Sequence, residues 1–280
     1  MAYGLCEAWK SPCYLSTPTP GEPNDETHAL QGLVAPVTSS SPHGFYDASF
    51  EVELSTETPG AALWYTTDAS EPAEGKGSLY KGPIPIEGTT VLRAVAIKPG
   101  YLTAPSTTFS YIFPEQVVHQ PDNPPGYPAT WGMVRQDTSA GDTAGAPVPA
   151  NYGMDPKVVE DRAYGDRLRD SLLSLPSLSL VTGVENLDIY FADPSARGTE
   201  AERPVSVEWI DPTDASAGFQ VDAGLRIQGH LGRSELVPKH SLRLLFKKVY
   251  GPAQLEYEVF PDSLVDSFDT LVCQARCSAS

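Results

Sequence analysis

The 280-residue chain contains no run of 18 apolar residues, so no part of it can cross a bilayer as a helix. Positive charge is scarce: 19 Lys and Arg stand against 36 Asp and Glu, a net charge of −17. That balance excludes a broad electrostatic attraction to nucleic acid or anionic lipid. The opening MAYGLCEAWKSPCYLSTPTPGEPN lacks the charged head and apolar centre of an export signal. Only four cysteines occur, Cys6 and Cys13 near one end and Cys273 and Cys277 near the other. Neither pair has the CxxC spacing of a zinc or redox site. They read as incidental thiols near the chain ends, with a Cys6–Cys13 bridge as the alternative. The sequence also lacks a G-x-S-x-G elbow and a P-loop.

What the chain has in quantity is Gly and Pro, 23 and 27 residues, which favours many turns over long helices. Charge is unevenly spread. Residues 11–75 hold ten acids and no Lys or Arg, whereas residues 226–248 hold six Lys or Arg and the single acid Glu235. The two regions are therefore expected to serve different uses.

Residues 33–115 alternate with period two in short runs. Phe50, Val52 and Leu54 face one way, and "ALWYTT", "TTVLRAVAIK" and "TTFSYIF" are further strand candidates. "TTVLRAVAIK" is apolar enough to be buried on both sides. Turn residues separate the runs at Thr58-Pro59-Gly60, at residues 68–72 and at Lys98-Pro99-Gly100. Short strands punctuated in this way predict an antiparallel, immunoglobulin-like β-sandwich. Asp68 suits a hydrogen-bonded turn, so it and Glu71 need no catalytic role.

"LWYTTDASEP" and "SLYKGPIPIEGTTVLRAVAIKPGYLTAPSTTFSYIF" resemble the chitobiase/β-hexosaminidase C-terminal-type domain, with Ala69 where that pattern usually has Gly. The resemblance implies a non-catalytic sandwich appended to secreted bacterial enzymes and surface proteins, acting as a spacer or in carbohydrate contact. Trp64, Tyr65, Tyr80 and Tyr101 are the candidates for an aromatic sugar platform; the same rings equally suit a core. Upstream, "YLSTPTPGEPN" resembles the close of a lamin-tail-type domain, so residues 1–32 are expected to be a tail left from such a domain.

Residues 116–152 are rich in Pro, Gly, Ala and polar residues and predict a linker, anchored by Tyr127 and Trp131. Residues 153–280 open with Asp155 as a helix cap and Pro156 at the first helical position. Gly165 divides the helical stretch and Pro176 ends it. The strand candidates "LSLVTG", "LDIYFAD", "VSVEWID", "AGLRIQG" and "HSLRLLFKK" follow, giving an α+β region dominated by antiparallel sheet.

This region, from "NYGMDPKVVEDRAYGDRLRDSLLSLPSLSLVTG" through "ERPVSVEWIDP", "AGLRIQG" and "KHSLRLLF" to "FDTLV", resembles the start of CotH-type atypical kinases. The resemblance implies ATP with Mg²⁺ as cofactors of the family, and Arg226, Lys239 and Arg243 as candidate nucleotide-binding residues. The same charges equally fit a solvated strand edge. The family's acidic metal motif lies beyond "FDTLV", so the lobe is expected to be incomplete, cut before its catalytic motif, and this chain to need no cofactor.

Taken together, the sequence leads to a mainly β protein: an immunoglobulin-like sandwich joined to an incomplete α+β lobe with an antiparallel sheet. The expected role is a non-catalytic spacer or carbohydrate- or surface-binding fragment of an exported bacterial multidomain protein, placed outside the cell or at its surface. The expected partner is a polysaccharide or cell-surface glycan, with no nucleic acid and no membrane span. One alternative is a hydrolase acting on a polysaccharide or ester, for instance through Ser234 with His230 or His240. Another is residual ATP binding by the CotH-like lobe.

Overall fold

The structure is a computed structural model that describes residues 2–6, 11–15, 22, 29–133, 147–187, 196–214, 216–229 and 240–274. His230, Ser234, Lys239 and most of the expected strand "LDIYFAD" lie outside the described residues. The fold is mainly β and divides into two compact units. Unit 1 comprises Met1–Pro42 and Ala48–Phe109, and unit 2 comprises His43–Asp47 and Ser110–Ser280.

Unit 1 begins with a three-stranded sheet of β1 (Ala2–Cys6), β2 (Ser11–Leu15) and β3 (Ala29–Leu30). Cys6 and Cys13 are fully buried and joined by a disulfide. They are therefore not incidental thiols: the antiparallel register sets Cys6 opposite Ser11 and Cys13 opposite Gly4, which brings the two sulfurs together.

The sandwich follows. β4 (Val37–Ser39) pairs antiparallel with β7 (Leu54–Thr56), and β6 (Phe50–Val52) with β10 (Ile84–Ile86). β5 (Gly44–Phe45) lies between β4 and β6 in the chain and belongs to unit 2. The larger sheet carries β12 (Thr107–Ile112), β11 (Thr90–Ile97), β8 (Ala62–Thr66) and β9 (Ser78–Leu79) in that order. β11 is buried from Leu92 to Ala96, as its run of apolar residues around Arg93 predicts. Val34, Val37, Val52, Leu54, Ile84 and Ile86 are buried as well. Pro83 and Pro85 flank and occupy β10, a short strand in a two-stranded pairing, where a missing N–H is tolerated.

In unit 2, β5 runs parallel to the end of β12, with Gly44 opposite Tyr111 and Phe45 opposite Ile112. A short helix, α1 (Pro114–Val118), comes next. The expected linker is partly structured: β13 (Thr130–Met133) pairs with β14 (Pro147–Pro149), and the rings of Tyr127 and Tyr152 lie 5.6 Å apart. The helical stretch is broken into α2 (Pro156–Val159), a 3₁₀ turn at Gly165–Arg167 and α3 (Leu168–Leu172). Asp155 caps α2 by accepting from Lys157 N–H at 2.9 Å.

The main sheet is antiparallel throughout. It runs β15 (Ser177–Val181), β16 (Arg203–Ile210), β17 (Phe219–Gln228), β18 (Ser241–Leu245) and, after the small hairpin of β19 (Leu255–Glu256) and β20 (Ser267–Phe268), β21 (Thr270–Cys273). Alternation sorts its two faces. Val205, Val207, Ala223, Leu225, Ile227, Leu244, Phe246 and Leu255 form one core. The opposite face carries Ser179, Ser206, Glu208, Gln220, Asp222, Arg226, Ser241 and Arg243. The polar face carries the chemistry of this unit.

Candidate functional site

In unit 1 the site begins with the turn at residues 67–72. Asp68 accepts from both the N–H and the hydroxyl of Ser70, at 3.1 and 2.6 Å. Thr66 donates its hydroxyl to Ser70 O at 2.6 Å. The hydroxyl of Ser70 beside Asp68, with its N–H, holds the carboxyl below the usual carboxylate range. Ala69 adopts φ +64°, the left-handed conformation that glycine enters without steric cost.

Arg93 of β11 fastens this turn. It forms an ion pair with Glu71, donates to Ala69 O at 3.3 Å and to the Ser106 hydroxyl at 2.9 Å, and is itself 8% exposed. The acidic turn is thus a clasp closed on the central strand, and its carboxylates are structural.

The four aromatic candidates do not share a face. Trp64 sits between Val95 and Leu79 across the sheet, whereas Tyr65, the next residue, sits between Ala94 and Ser78. Successive residues of a strand point to opposite sides. Trp64 therefore shares the side of Arg93, whose partner Glu71 has its side chain 53% exposed. Trp64 is half-buried and Leu79, beside it on the outermost strand of this sheet, is 41% exposed. Tyr80 is half-buried one residue beyond β9, where its N–H donates to Leu63 O at 2.8 Å. Tyr101 lies at the Lys98-Pro99-Gly100 turn with the Lys98 ammonium 4.3 Å from its ring centre. Trp64 with Leu79 is the apolar surface this unit offers on its polar side.

In unit 2, two groups occupy the polar face of the main sheet. The first is built on Glu208, which is fully buried. Its Oε1 accepts from Ser110 N–H at 3.1 Å and lies 2.9 Å from His43 Nδ1; Oε2 accepts the Ser110 hydroxyl. Ser179 Oγ lies 2.7 Å from Ser110 Oγ. Every member is at least mostly buried, and the cluster links residues 43, 110, 179 and 208. A lone Glu within the apolar run "RPVSVEWI" is the signal that sequence reasoning passed over.

The second group joins Arg226 and Arg243, which stand directly opposite each other on β17 and β18. Glu202, buried at the start of β16, accepts from the Lys247 ammonium on both oxygens at 2.8 Å, meets the Tyr250 hydroxyl at 3.3 Å and lies 3.8 Å from an Arg226 η-nitrogen. Burial and the neighbouring Glu202 carboxylate raise the Tyr250 phenol above its usual range. The glycine of "AGLRIQG" has a reason here: a β-carbon at Gly224 would meet the Tyr250 ring at 2.5 Å. Of the candidate nucleotide-binding residues, Arg226 and Arg243 are thus adjacent, and Lys239 lies outside the described residues. Among the described residues no group of three His, Cys, Asp or Glu side chains is placed to hold a metal ion.

A family model described as the chitobiase/beta-hexosaminidase C-terminal domain matches residues 41–110. The match covers the larger sandwich sheet and the clasped turn. No curated protein and no solved structure matches the chain.

Proposed function

We propose that residues 33–115 form a glycan-contacting module of an exported bacterial surface protein, with Trp64 as its stacking ring. The observation that carries this reading is the half-buried indole beside exposed Leu79, on the side of the sheet that bears Arg93 and Glu71. An indole presented there offers a flat apolar surface to the C–H face of a sugar ring, while nearby polar groups meet its hydroxyls. The family match at residues 41–110 supports a carbohydrate-binding type of domain. The Cys6–Cys13 disulfide supports an oxidising destination outside the cytoplasm.

Residues 153–280 read as a CotH-type lobe on the sequence motifs quoted above. The motifs that carry the resemblance lie on "SLSLV", "RPVSVEWI", "FQVDAGLRIQ", "SLRLL" and "TLVC", the strands of one five-stranded antiparallel sheet. The proposal for the whole chain is therefore glycan binding through its sandwich module.

Retention of the full chain on a panel of insoluble polysaccharides, with release by the matching soluble oligosaccharide, tests the reading. Retention that the oligosaccharide competes away supports it. Passage through every matrix without delay sinks it.

A further inference from the structure

We propose that the hairpin at residues 255–268 is a docking surface for a basic polypeptide segment that carries Lys or Arg beside apolar side chains. The inference goes beyond the glycan reading of residues 33–115 and does not depend on it.

β19 and β20 close this hairpin, with Leu255 opposite Phe268 and Glu256 opposite Ser267. Its base is fixed to the main sheet. Leu255 is buried in the core of that sheet, and Tyr257 donates its hydroxyl to Ala217 O. The Tyr257 ring lies 4.8 Å from Phe219 and 5.8 Å from Trp209. The tip is ordered too: Ser263 N–H donates to Phe260 O at 2.9 Å and Val265 N–H to the Ser263 hydroxyl at 3.1 Å. This turn nevertheless exposes its large apolar side chains. Leu264 is fully exposed, Phe260 and Val265 are more than half exposed, and Phe268 props the Phe260 ring edge-on at 5.9 Å. Grouped apolar side chains held in water on a fixed support mark an interaction surface, since a partner gains by burying them and little ordering remains to be done.

Charge identifies the partner. Residues 249–275 hold five acids and no Lys, Arg or His. Glu256, Tyr257, Glu258, Asp266 and Ser267 line a cleft of about 410 Å³. Asp262 is exposed on the tip, and Asp211 brings a further carboxylate towards Tyr257. Among the described residues none of Glu256, Glu258, Asp262 and Asp266 forms an ion pair. A Lys ammonium or Arg guanidinium entering the cleft meets carboxylates and the Tyr257 ring together. Leu264 and Val265 are branched aliphatics, which offer no flat face to a sugar and pack instead against apolar side chains. The acids repel anionic lipid, and a net charge of −17 sets one copy of the chain against another. A basic polypeptide segment with apolar side chains satisfies both halves of the surface.

The test is fluorescence anisotropy of a labelled octapeptide titrated with the full chain. Lys and Leu take turns at every second position of the peptide, with Ser between, so that an extended peptide shows both to one side. Wild type should bind it, and more weakly as salt is raised. Leu264→Ser, at a fully exposed position, should weaken binding about tenfold. Val265→Thr, close to isosteric, should weaken it about threefold and decides the matter if Leu264→Ser perturbs folding. Glu256→Gln combined with Glu258→Gln should weaken binding about fivefold at low salt and flatten its salt dependence. Glu51→Gln combined with Glu53→Gln, exposed acids of unit 1, should leave it unchanged. Equal binding of a control peptide with Ser in place of Leu would mean attraction by charge alone and would overturn the proposal. So would no binding of either peptide, or equal affinities for wild type and the hairpin variants. Sedimentation of the free chain completes the test: a dimer that Leu264→Ser dissociates would assign the surface to a second copy and equally overturn it.

Discussion

Ser110 donates its backbone N–H to the buried Glu208 carboxylate at 3.1 Å, across a sequence separation of 98. The same carboxylate takes the Ser110 hydroxyl and lies 2.9 Å from His43 Nδ1. One side chain on β16 therefore ties two distant segments of unit 2 to the sheet. Glu208→Ala leaves a buried N–H, a hydroxyl and an imidazole nitrogen without their acceptor, and should lower the unfolding free energy by about 3 kcal/mol. Glu208→Gln retains an acceptor and should cost about half as much. Urea unfolding followed by tryptophan fluorescence measures both. Equal stability of Glu208→Ala and wild type would show that the hub carries no weight.

Ala69 occupies a left-handed backbone position at φ +64°. Replacing it with glycine relieves the β-carbon contact at the expense of unfolded-state entropy and one methyl group. The net effect expected is a gain of about 0.5 kcal/mol, a rise of roughly 2 °C in Tm. A fall in Tm would mean that packing of the Ala69 methyl outweighs the backbone strain.

Arg93 joins Ala69, Glu71 and Ser106. Because the Glu71 side chain is 53% exposed, the ion pair itself contributes little, and the loss on Arg93→Met should come chiefly from the two freed acceptors, about 1–2 kcal/mol. Glu71→Gln should then cost under about 0.5 kcal/mol. Finding the two variants equally destabilised would reassign the clasp to the ion pair.

The Asp68 carboxyl is held below its ordinary range, first by the Ser70 hydroxyl and also by the Ser70 N–H, against the opposing effect of burial. A depressed folded-state value means that this group adds stability above the ordinary carboxylate range. The contribution is lost as pH falls through the lowered value. Asp68→Asn keeps an acceptor for the turn but does not titrate. Its Tm should therefore fall less steeply than that of wild type between neutral pH and about pH 3. Superimposable acid limbs for the two proteins would contradict the assignment.

Much of this architecture was legible in the sequence because it follows from local rules. Period-two alternation gave β8, β11, β16 and β18, and Pro156 after Asp155 marked the start of α2. The turn at residues 67–72 was readable from Asp68 as a hydrogen-bonded cap, yet the residue that fastens it, Arg93, lies 24 positions from Ala69. The aromatic row could not survive the strand geometry: "WY" reads as two neighbouring rings, but adjacency in a strand sends Trp64 and Tyr65 to opposite sides. Cys6 and Cys13 looked incidental because their spacing matches no motif; the hairpin register pairs them. Glu208 and Glu202 were unreadable for the same reason, since their partners, His43, Ser110, Lys247 and Tyr250, come from sequence separations of 45 to 165 residues.

The central claim is that the Trp64 side of the sandwich contacts glycan. It is tested most directly by comparing Trp64→Ala with Tyr65→Ala in affinity electrophoresis through the polysaccharide that retains the full chain. Loss of one stacking aromatic should weaken binding about tenfold. The Trp64 variant should therefore lose retardation to that degree, and the Tyr65 variant, with a wild-type unfolding curve, should keep it. Equal retardation of the Trp64 variant and wild type, or a loss confined to Tyr65, would contradict it.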